Sequence, residues 1–293
     1  MKLAEVRKIP FFERLFRLIP DPLYLRLLYR KNVGRWPNLS NPQTFTEKIQ
    51  WLKIHDRNPE YSIMVDKYLV KDYVAKIIGE KYIIPTLAVW NTVEEIDLSV
   101  LPNQFVLKWN HDSGSIVICK DKANFDIEIA KTKLARGQRQ NGFWYGREWP
   151  YKSVKPVIIA EKFMQETSSK SSDLADYKFY CFNGEPKYCQ VIRNRSTVET
   201  IDFYDMEWNL MPFVGLNPVV RNGLNPVVRP EHLEEMIDIC RKLAKKAPFT
   251  RVDLYVINNK EYFGEITLYP ASGFGVFNPK EWDEKLGYLI KLR

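Results

Sequence analysis

Hydrophobic and polar positions follow two periods along the chain. From Phe11 to Tyr29, Leu15, Phe16, Leu18, Ile19, Leu23, Leu25, Leu27 and Leu28 are interleaved with Arg14, Arg17 and Arg26, and Arg30 follows. Pro20-Asp21-Pro22 interrupts this stretch. An apolar stripe at helical spacing usually faces a core, so a helical pair packed on the body is the favoured reading. A basic amphipathic segment lying on a membrane surface is the other. Asn41-Pro42 opens a turn, after which Thr44 or Thr46 caps a helix through Trp51 and Leu52. A second helix is expected from about Ser62 to Ile78, stopping at Gly79.

Strand-like runs then take over. Ile83-Ile84-Pro85 opens one; Gln104 to Trp109 and Ile116 to Cys119 are two more, joined by a small polar loop. Phe125 to Gln138 reads as a helix and Pro156 to Met164 as a buried strand. Tyr177 to Phe182 and Pro186 to Arg193 flank Asn183-Gly184, a strong hairpin signal. The segment Gly215 to Arg221 is repeated at once as Gly223 to Arg229. The unit is too short for a solenoid and reads as a local duplication lengthening a surface loop. A helix from Pro230 to Lys246 follows, then a hairpin of Thr250 to Ile257 and Glu261 to Leu268 around Asn258-Asn259, and a last helix near Pro279. Helices and strands mix without strict alternation, which predicts an α+β fold.

Composition narrows the function classes. With 293 residues, 45% of them hydrophobic, the chain can bury a sizeable core. Four cysteines without CxxC spacing and three histidines argue against a zinc site, and free thiols in a reducing cytoplasm are expected. No apolar run approaches the roughly 20 residues needed to span a bilayer. Met1 to Pro10 carries charges where a signal peptide needs an apolar stretch. A cytoplasmic location follows as the expectation, peripheral to the inner face of the membrane if the basic N-terminal helices touch it. The net charge of +8 suits anionic partners without choosing among them.

The candidate chemistry lies in separated elements that appear in a particular order. Asp66-Lys67 opens a helix; Lys108 ends a strand and is followed by His111-Asp112-Ser113-Gly114-Ser115; Glu161-Lys162-Phe163-Met164 ends another strand. Lys178 lies in a hairpin, and Arg251-x-Asp253 and Glu265-x-Thr267 sit on the two arms of the last hairpin. A nucleoside triphosphate needs cations, which Lys67 and Lys108 can supply, and backbone N–H donors, which a loop at Ser113-Gly114-Ser115 can bring close. Magnesium needs hard oxygen ligands, and the hairpin arms could put Asp253 and Glu265 on one face. The strand Val157 to Met164 offers an apolar slot for adenine. Each element alone is weak: an isolated Ser-Gly-Ser is usually only a turn, and Asp253 and Glu265 could be a sheet-edge charge set with Arg251.

Together these segments resemble the ATP-grasp pattern of D-alanine–D-alanine ligase. Asp66-Lys67 with Lys71 and Gly79, Phe105-Val106-Leu107-Lys108 and Ile159 to Met164 carry the likeness, with Arg251-Val252-Asp253 and Gly264 to Thr267. More closely, the chain resembles the TupA-like ATP-grasp family of teichuronopeptide and capsular polysaccharide biosynthesis, through Asn41 to Lys53, Asp176 to Gly184 and Tyr269 to Phe274. The resemblance implies two α+β lobes sandwiching ATP, with an N-terminal helical extension. Its division would be residues 1–60 helical, 61–155 a lid lobe with the phosphate loop, and 156–293 the core lobe.

The resemblance also implies roles. Lys67 and Lys108 would bind phosphates under a loop of His111, Ser113, Gly114 and Ser115. Glu161 would bind the adenine amino group, with Lys162, Phe163 and Met164 completing that site. Asp253, Glu265 and Thr267 would hold Mg2+, although the superfamily usually has Asn where this chain has Thr267. Arg251, Lys178 and a backbone donor near Ser272-Gly273 would serve the acyl transfer. For the ribose carboxylate, Glu166 and Asp173 both stand as candidates. The implied reaction joins an amine or amino acid to a uronic acid of a surface glycan through an acyl phosphate. A sugar-modifying transferase, such as a glycosyltransferase or kinase, is the alternative. A nucleic-acid-binding module fits the acidic pair poorly.

Overall fold

A computed structural model of the chain describes residues 17–138, 140–166, 176–193, 198–216 and 221–292. Arg14, Leu15 and Phe16 of the basic stretch, the ribose candidate Asp173, and residues 217–220 of the repeat lie outside the described residues.

The described part of the basic stretch forms helix α1 (Asp21–Val33), which opens with Pro22 in its first turn and closes on left-handed Gly34. Tyr24, Leu25, Leu28 and Tyr29 are buried, so one face of α1 packs on the body. Helix α2 (Phe45–His55) starts at Thr44. The Thr44 hydroxyl accepts from Glu47 N and the Glu47 carboxylate accepts from Thr44 N, both at 3.3 Å. This reciprocal capping box settles Thr44 as the cap. Thr46 instead donates its hydroxyl to Asp283 Oδ2 at 2.7 Å, tying the helix to the chain's far end.

The single helix expected over Ser62 to Ile78 is two, α3 (Tyr61–Val65) and α4 (Leu69–Ile78). Asp66 makes the break. Its Oδ1 accepts from Tyr68 N at 2.8 Å and Leu69 N at 3.1 Å, and its Oδ2 accepts from Asn110 Nδ2 at 2.9 Å. A short carboxylate that bonds local backbone competes with the helix. The break leaves Lys67 between two helices, where its side chain reaches the loop after Trp109.

Two antiparallel sheets carry the core. The first joins β1 (Thr86–Trp90), β2 (Phe105–Trp109), β3 (Val117–Cys119) and β4 (Ile158–Lys162) in the order β1-β4-β2-β3. Phe105, Leu107, Trp109, Ile158 and Ala160 bury against Leu134 of α5 (Ile127–Gln138). β4 falls in the part of the chain expected to belong to the core lobe, yet it lies in the middle of this first sheet. The short helix α6 (Gly142–Gly146) leads back to α1, whose Tyr24 hydroxyl donates to Trp144 O and Tyr145 O at 3.2 and 3.1 Å.

The second sheet has β5 (Asp176–Phe182), β6 (Glu185–Arg193), β7 (Thr200–Tyr204), β9 (Phe249–Val256) and β10 (Glu261–Thr267) in the order β10-β9-β5-β6-β7. β8 (Val214–Gly215) pairs separately with β11 (Phe277–Asn278). The hairpin turns take the expected form: Asn183 and Gly184 have φ of 53° and 92°, Asn258 and Asn259 of 51° and 58°, the positive pair that matches strand twist. Helix α7 (Leu233–Leu243) buries Leu233, Met236, Cys240 and Leu243 in this lobe's core, and α8 (Glu281–Leu289) adds Trp282 and Leu286.

Candidate functional site

One cavity of about 610 Å3 is lined from both sheets. The first sheet and its flanks contribute Val106, Lys108, Glu161, Lys162, Phe163 and Met164; the second contributes Asp176, Lys178, Gln190, Arg251, Asp253 and Glu265. Lys67, Lys71, Ser113 and Gly114 reach it from the segments between.

On the first wall, Val106 pairs with Glu161 and Lys108 with Ile159, so Lys108 and Glu161 are diagonal neighbours on one sheet face. Glu161 Oε2 lies 2.6 Å from Lys108 Nζ, and Oε1 lies 2.7 Å from Lys71 Nζ. Lys71 also donates to Ile84 O and Thr86 Oγ1, both at 2.8 Å. Burial works to raise the Glu161 carboxyl, but the two ammonium groups outweigh it and hold the group below its usual range. The wall is therefore a fixed anion between two cations beside the apolar Phe163 and Met164. Lys71 was not among the expected site residues; its place four residues after Lys67, on the inner face of α4, was the available signal.

The loop after Trp109 closes one end. Lys67 Nζ donates to Asp112 O at 2.7 Å, and Lys67 N to Asn110 O at 3.0 Å. Gly114 has φ of 119°, which a side chain would resist. α5 passes close beneath, and a Cβ at Gly137 would come within 2.7 Å of Asp112 Oδ2. Ser113 and Gly114 face the cavity, whereas His111 and Ser115 do not line it. His111 is buried edge-on to Trp109, ring centroids 5.5 Å apart, and burial lowers its pKa.

The second wall depends on a bulge. Continuing the register Phe263 with Leu254 would pair Gly264 with Asp253 and put Glu265 on the opposite sheet face. The register shifts between Phe263 and Glu265, so Glu265 pairs with Asp253 and Thr267 with Arg251. An extra residue of this kind re-aims side chains. Glycine fits there because a Cβ would lie 2.9 Å from the Tyr255 ring and 3.1 Å from Asp253 O. Across the neighbouring strands Asp253 pairs with Lys178, and Lys178 with Gln190. One rung thus reads Glu265, Asp253, Lys178, Gln190.

The polar groups of this rung are mutually engaged. Arg251 Nε donates to Asp253 Oδ1 at 2.6 Å, and Arg251 Nη2 donates to Asp253 Oδ2 and to Glu265 Oε1, both at 2.7 Å. Lys178 contacts Asp253 and lies 2.9 Å from Asp176. Thr267 does not line the cavity; its hydroxyl donates to Glu265 Oε1 at 3.2 Å. Burial pushes the Asp253 carboxyl up to about 6 against the pull of Arg251 and Lys178. Burial also acts to raise Glu265, but Lys67, Arg251 and Lys178 hold it well below the usual carboxylate range. Two carboxylates on adjacent strands, joined by phosphate oxygens, form the hard-oxygen set magnesium takes. Asp253 and Glu265 are donors of that type and would hold the ion on its displacing Arg251 and Lys178 from the Asp253 oxygens, with Thr267 steadying Glu265.

The turn after β10 departs from expectation. Ala271, Ser272 and Gly273 are successive left-handed residues with φ of 47°, 53° and 66°. Ala271 lines the cavity, but Ser272 and Gly273 do not. The Ser272 N–H donates to Tyr269 O at 2.8 Å, so that donor is already engaged. The turn is clamped from α2: Lys53 Nζ donates to Ser272 O and Gly146 O, both at 2.7 Å, and Gln50 Nε2 to Gly273 O at 2.8 Å. Lys53 is buried, and burial pulls its ammonium down to about 7 despite nearby Glu148. In sequence it reads as an ordinary lysine near a helix C-terminus, marked only as the last residue of the segment Asn41 to Lys53. Glu166 accepts from Asn258 N at 2.7 Å and does not line the cavity, which leaves the ribose carboxylate unassigned.

A family model described as TupA-like ATPgrasp matches residues 47–291, most of the chain. The chain belongs to the TupA-like ATP-grasp family. Curated proteins yield no match. Among solved structures it is similar to D-alanine–D-alanine ligase from Bacillus anthracis complexed with ATP, at 18% identity over 78% of this chain and 63% of that one, TM-score 0.44. The Helicobacter pylori D-alanine–D-alanine ligase gives 17% identity over 84% and 69%, TM-score 0.42. The ATP-grasp ligase PsnB with minimal precursor, Mg and ADP gives 10% over 76% and 57%, TM-score 0.39. This ATP-grasp chain thus spans about 63% of the length of the first of these ligases, and likenesses at such scores carry no argument about its activity.

Proposed function

We propose that the protein is an ATP- and magnesium-dependent carboxylate–amine ligase that works through an acyl phosphate. The observation that carries this reading is the rung Glu265–Asp253–Lys178–Gln190, facing the same cavity as Lys67, Lys71, Lys108 and Glu161. Carboxylates for a metal and cations for phosphates converge on one volume. The site also has no need of a covalent nucleophile, because phosphoryl transfer of this kind depends on positioning and charge neutralisation.

In this reading Glu161 and the backbone around Phe163 hold adenine, and Lys67 and Lys108 hold phosphate oxygens. Magnesium at Asp253 and Glu265 would neutralise charge on the phosphates. Arg251 and Lys178 then face the carboxylate substrate, whose oxygen attacks the γ-phosphate with ADP leaving; an amine displaces phosphate from the acyl phosphate to form the amide. The amine is an amino acid or related small molecule, and the carboxylate belongs to a uronic acid of a surface polysaccharide or its precursor. That substrate assignment is supported by the resemblance and by the net charge of +8.

The test is a phosphate-release screen with ATP, magnesium, candidate uronic acids and an amino-acid panel. Phosphate and ADP should appear in step with an amide. ADP formed with a phosphorylated sugar and no free phosphate would favour the sugar-modifying transferase. Lys108→Ala should lower turnover by roughly a hundredfold or more, and near-normal turnover in that variant would sink the site assignment.

A further inference from the structure

We propose that the outward face of α1 is a docking surface for an anionic lipid membrane. The helix has two faces of different character. Tyr24, Leu25, Leu28 and Tyr29 are buried on the body. On the opposite arc, Leu23, Arg26, Leu27 and Arg30 fall at the spacing i, i+3, i+4, i+7 that defines one helix face, and all four are exposed. Leu23 and Leu27 are 52% and 48% exposed, with Leu18 just before the helix at 82% and Trp36 just after it at 58%. Exposed leucines alternating with arginines on one helix face are the composition of an interfacial helix, not of an ordinary solvated face.

Charge selects the occupant. Arg26, Arg30 and Lys31 have no acidic partner among the described residues. Asp21, the one carboxylate of the helix, is turned to Arg147 and Arg57 at 3.2 and 3.3 Å. The exposed face is therefore apolar and cationic with no anion of its own. A second copy of the chain would bring the same positive face. Residues 1–16 carry four Lys and Arg against two Glu and are also a poor electrostatic match. Anionic headgroups supply the missing charge, and the acyl boundary takes the leucines. Among the described residues no helix is long and apolar enough to cross a membrane, so the contact is peripheral.

The experiment is vesicle co-sedimentation of the full chain. Vesicles of phosphatidylcholine with phosphatidylglycerol should bind at least about tenfold more tightly than phosphatidylcholine alone, and salt should weaken binding. Arg26→Gln with Arg30→Gln should weaken it about thirtyfold, on the basis of about 1 kcal/mol per basic residue. Leu23→Ser with Leu27→Ser should weaken it on both vesicle types. All four side chains are exposed, so unchanged thermal melting serves as the folding control. Equal binding to neutral and anionic vesicles overturns the proposal. Anionic binding that survives the Arg26/Arg30 variant also overturns it, assigning the contact to residues outside α1. A dimer in sedimentation that the Leu23/Leu27 variant dissolves overturns it in favour of a second copy.

Discussion

The two sheets hold their buried carboxylates in opposite ways. In the first, Glu161 sits between Lys71 and Lys108 at 2.7 and 2.6 Å, and the flanking ammonium groups keep it ionised against burial. In the second, Asp253 touches Arg251 and Lys178, yet burial pushes it up to about 6. Glu161 has its counter-charge built in. Asp253 shares Arg251 with Glu265 and Lys178 with Asp176, and Lys67 lies 3.9 Å from Glu265, so three cations serve three carboxylates and none belongs to Asp253 alone. In the proposed ligase the first wall recognises the nucleotide and the second takes up charge that arrives with the substrate.

This contrast can be broken most directly at Asp253. Asp253→Asn keeps the shape and removes the ligand, and turnover with magnesium ATP should fall by about a thousandfold. Nucleotide binding measured without metal should change little, because the first wall is untouched. Strong loss of metal-free binding in this variant would contradict the division of labour between the walls.

The complementary change is Lys71→Met, which leaves Glu161 with Lys108 alone and strands the acceptors Ile84 O and Thr86 Oγ1. Leaving the buried Glu161 carboxylate and two part-buried acceptors short of a partner costs about 1–3 kcal/mol, so the melting temperature should drop by several degrees. Nucleotide affinity should fall about tenfold, with the maximal rate at saturating ATP nearly retained. A loss confined to the maximal rate would show that Lys71 serves chemistry rather than recognition.

How far these walls could be read in the sequence depended on whether their cause was local. Thr44 with Glu47, Asn183-Gly184 and Asn258-Asn259 each specify a cap or turn through their own chemistry, and the elements around them came out as expected. At Asp66 apolar spacing runs through the break, yet its bonds to Tyr68 N and Leu69 N are the local ones of a residue opening a helix, and only its third partner, Asn110, is distant in sequence. The place of β4 between β1 and β2 is a long-range pairing that no local signal encodes. Asp253 and Glu265 were identifiable by type, but their common face requires the extra residue at Gly264, which alternation alone would have assigned wrongly. Lys53 stood only as the last residue of a matching segment, since its role arises when the left-handed turn at Ala271 to Gly273 folds against α2.

The finest test concerns Thr267, where the superfamily pattern has Asn. Its hydroxyl donates to Glu265 Oε1 at 3.2 Å and stays outside the cavity lining, so it would bear on the proposed metal site through Glu265. Thr267→Asn offers an amide that reaches further and can present its carbonyl oxygen to the ion while its NH2 keeps a donor near Glu265. The exchange is worth about one hydrogen bond, roughly 0.5–1 kcal/mol, which should lower the magnesium concentration for half-maximal turnover about threefold. Nucleotide affinity without metal should not move. If magnesium dependence weakens instead, the Thr267–Glu265 bond matters more than an added ligand, and the second wall is organised around carboxylate orientation rather than ligand number.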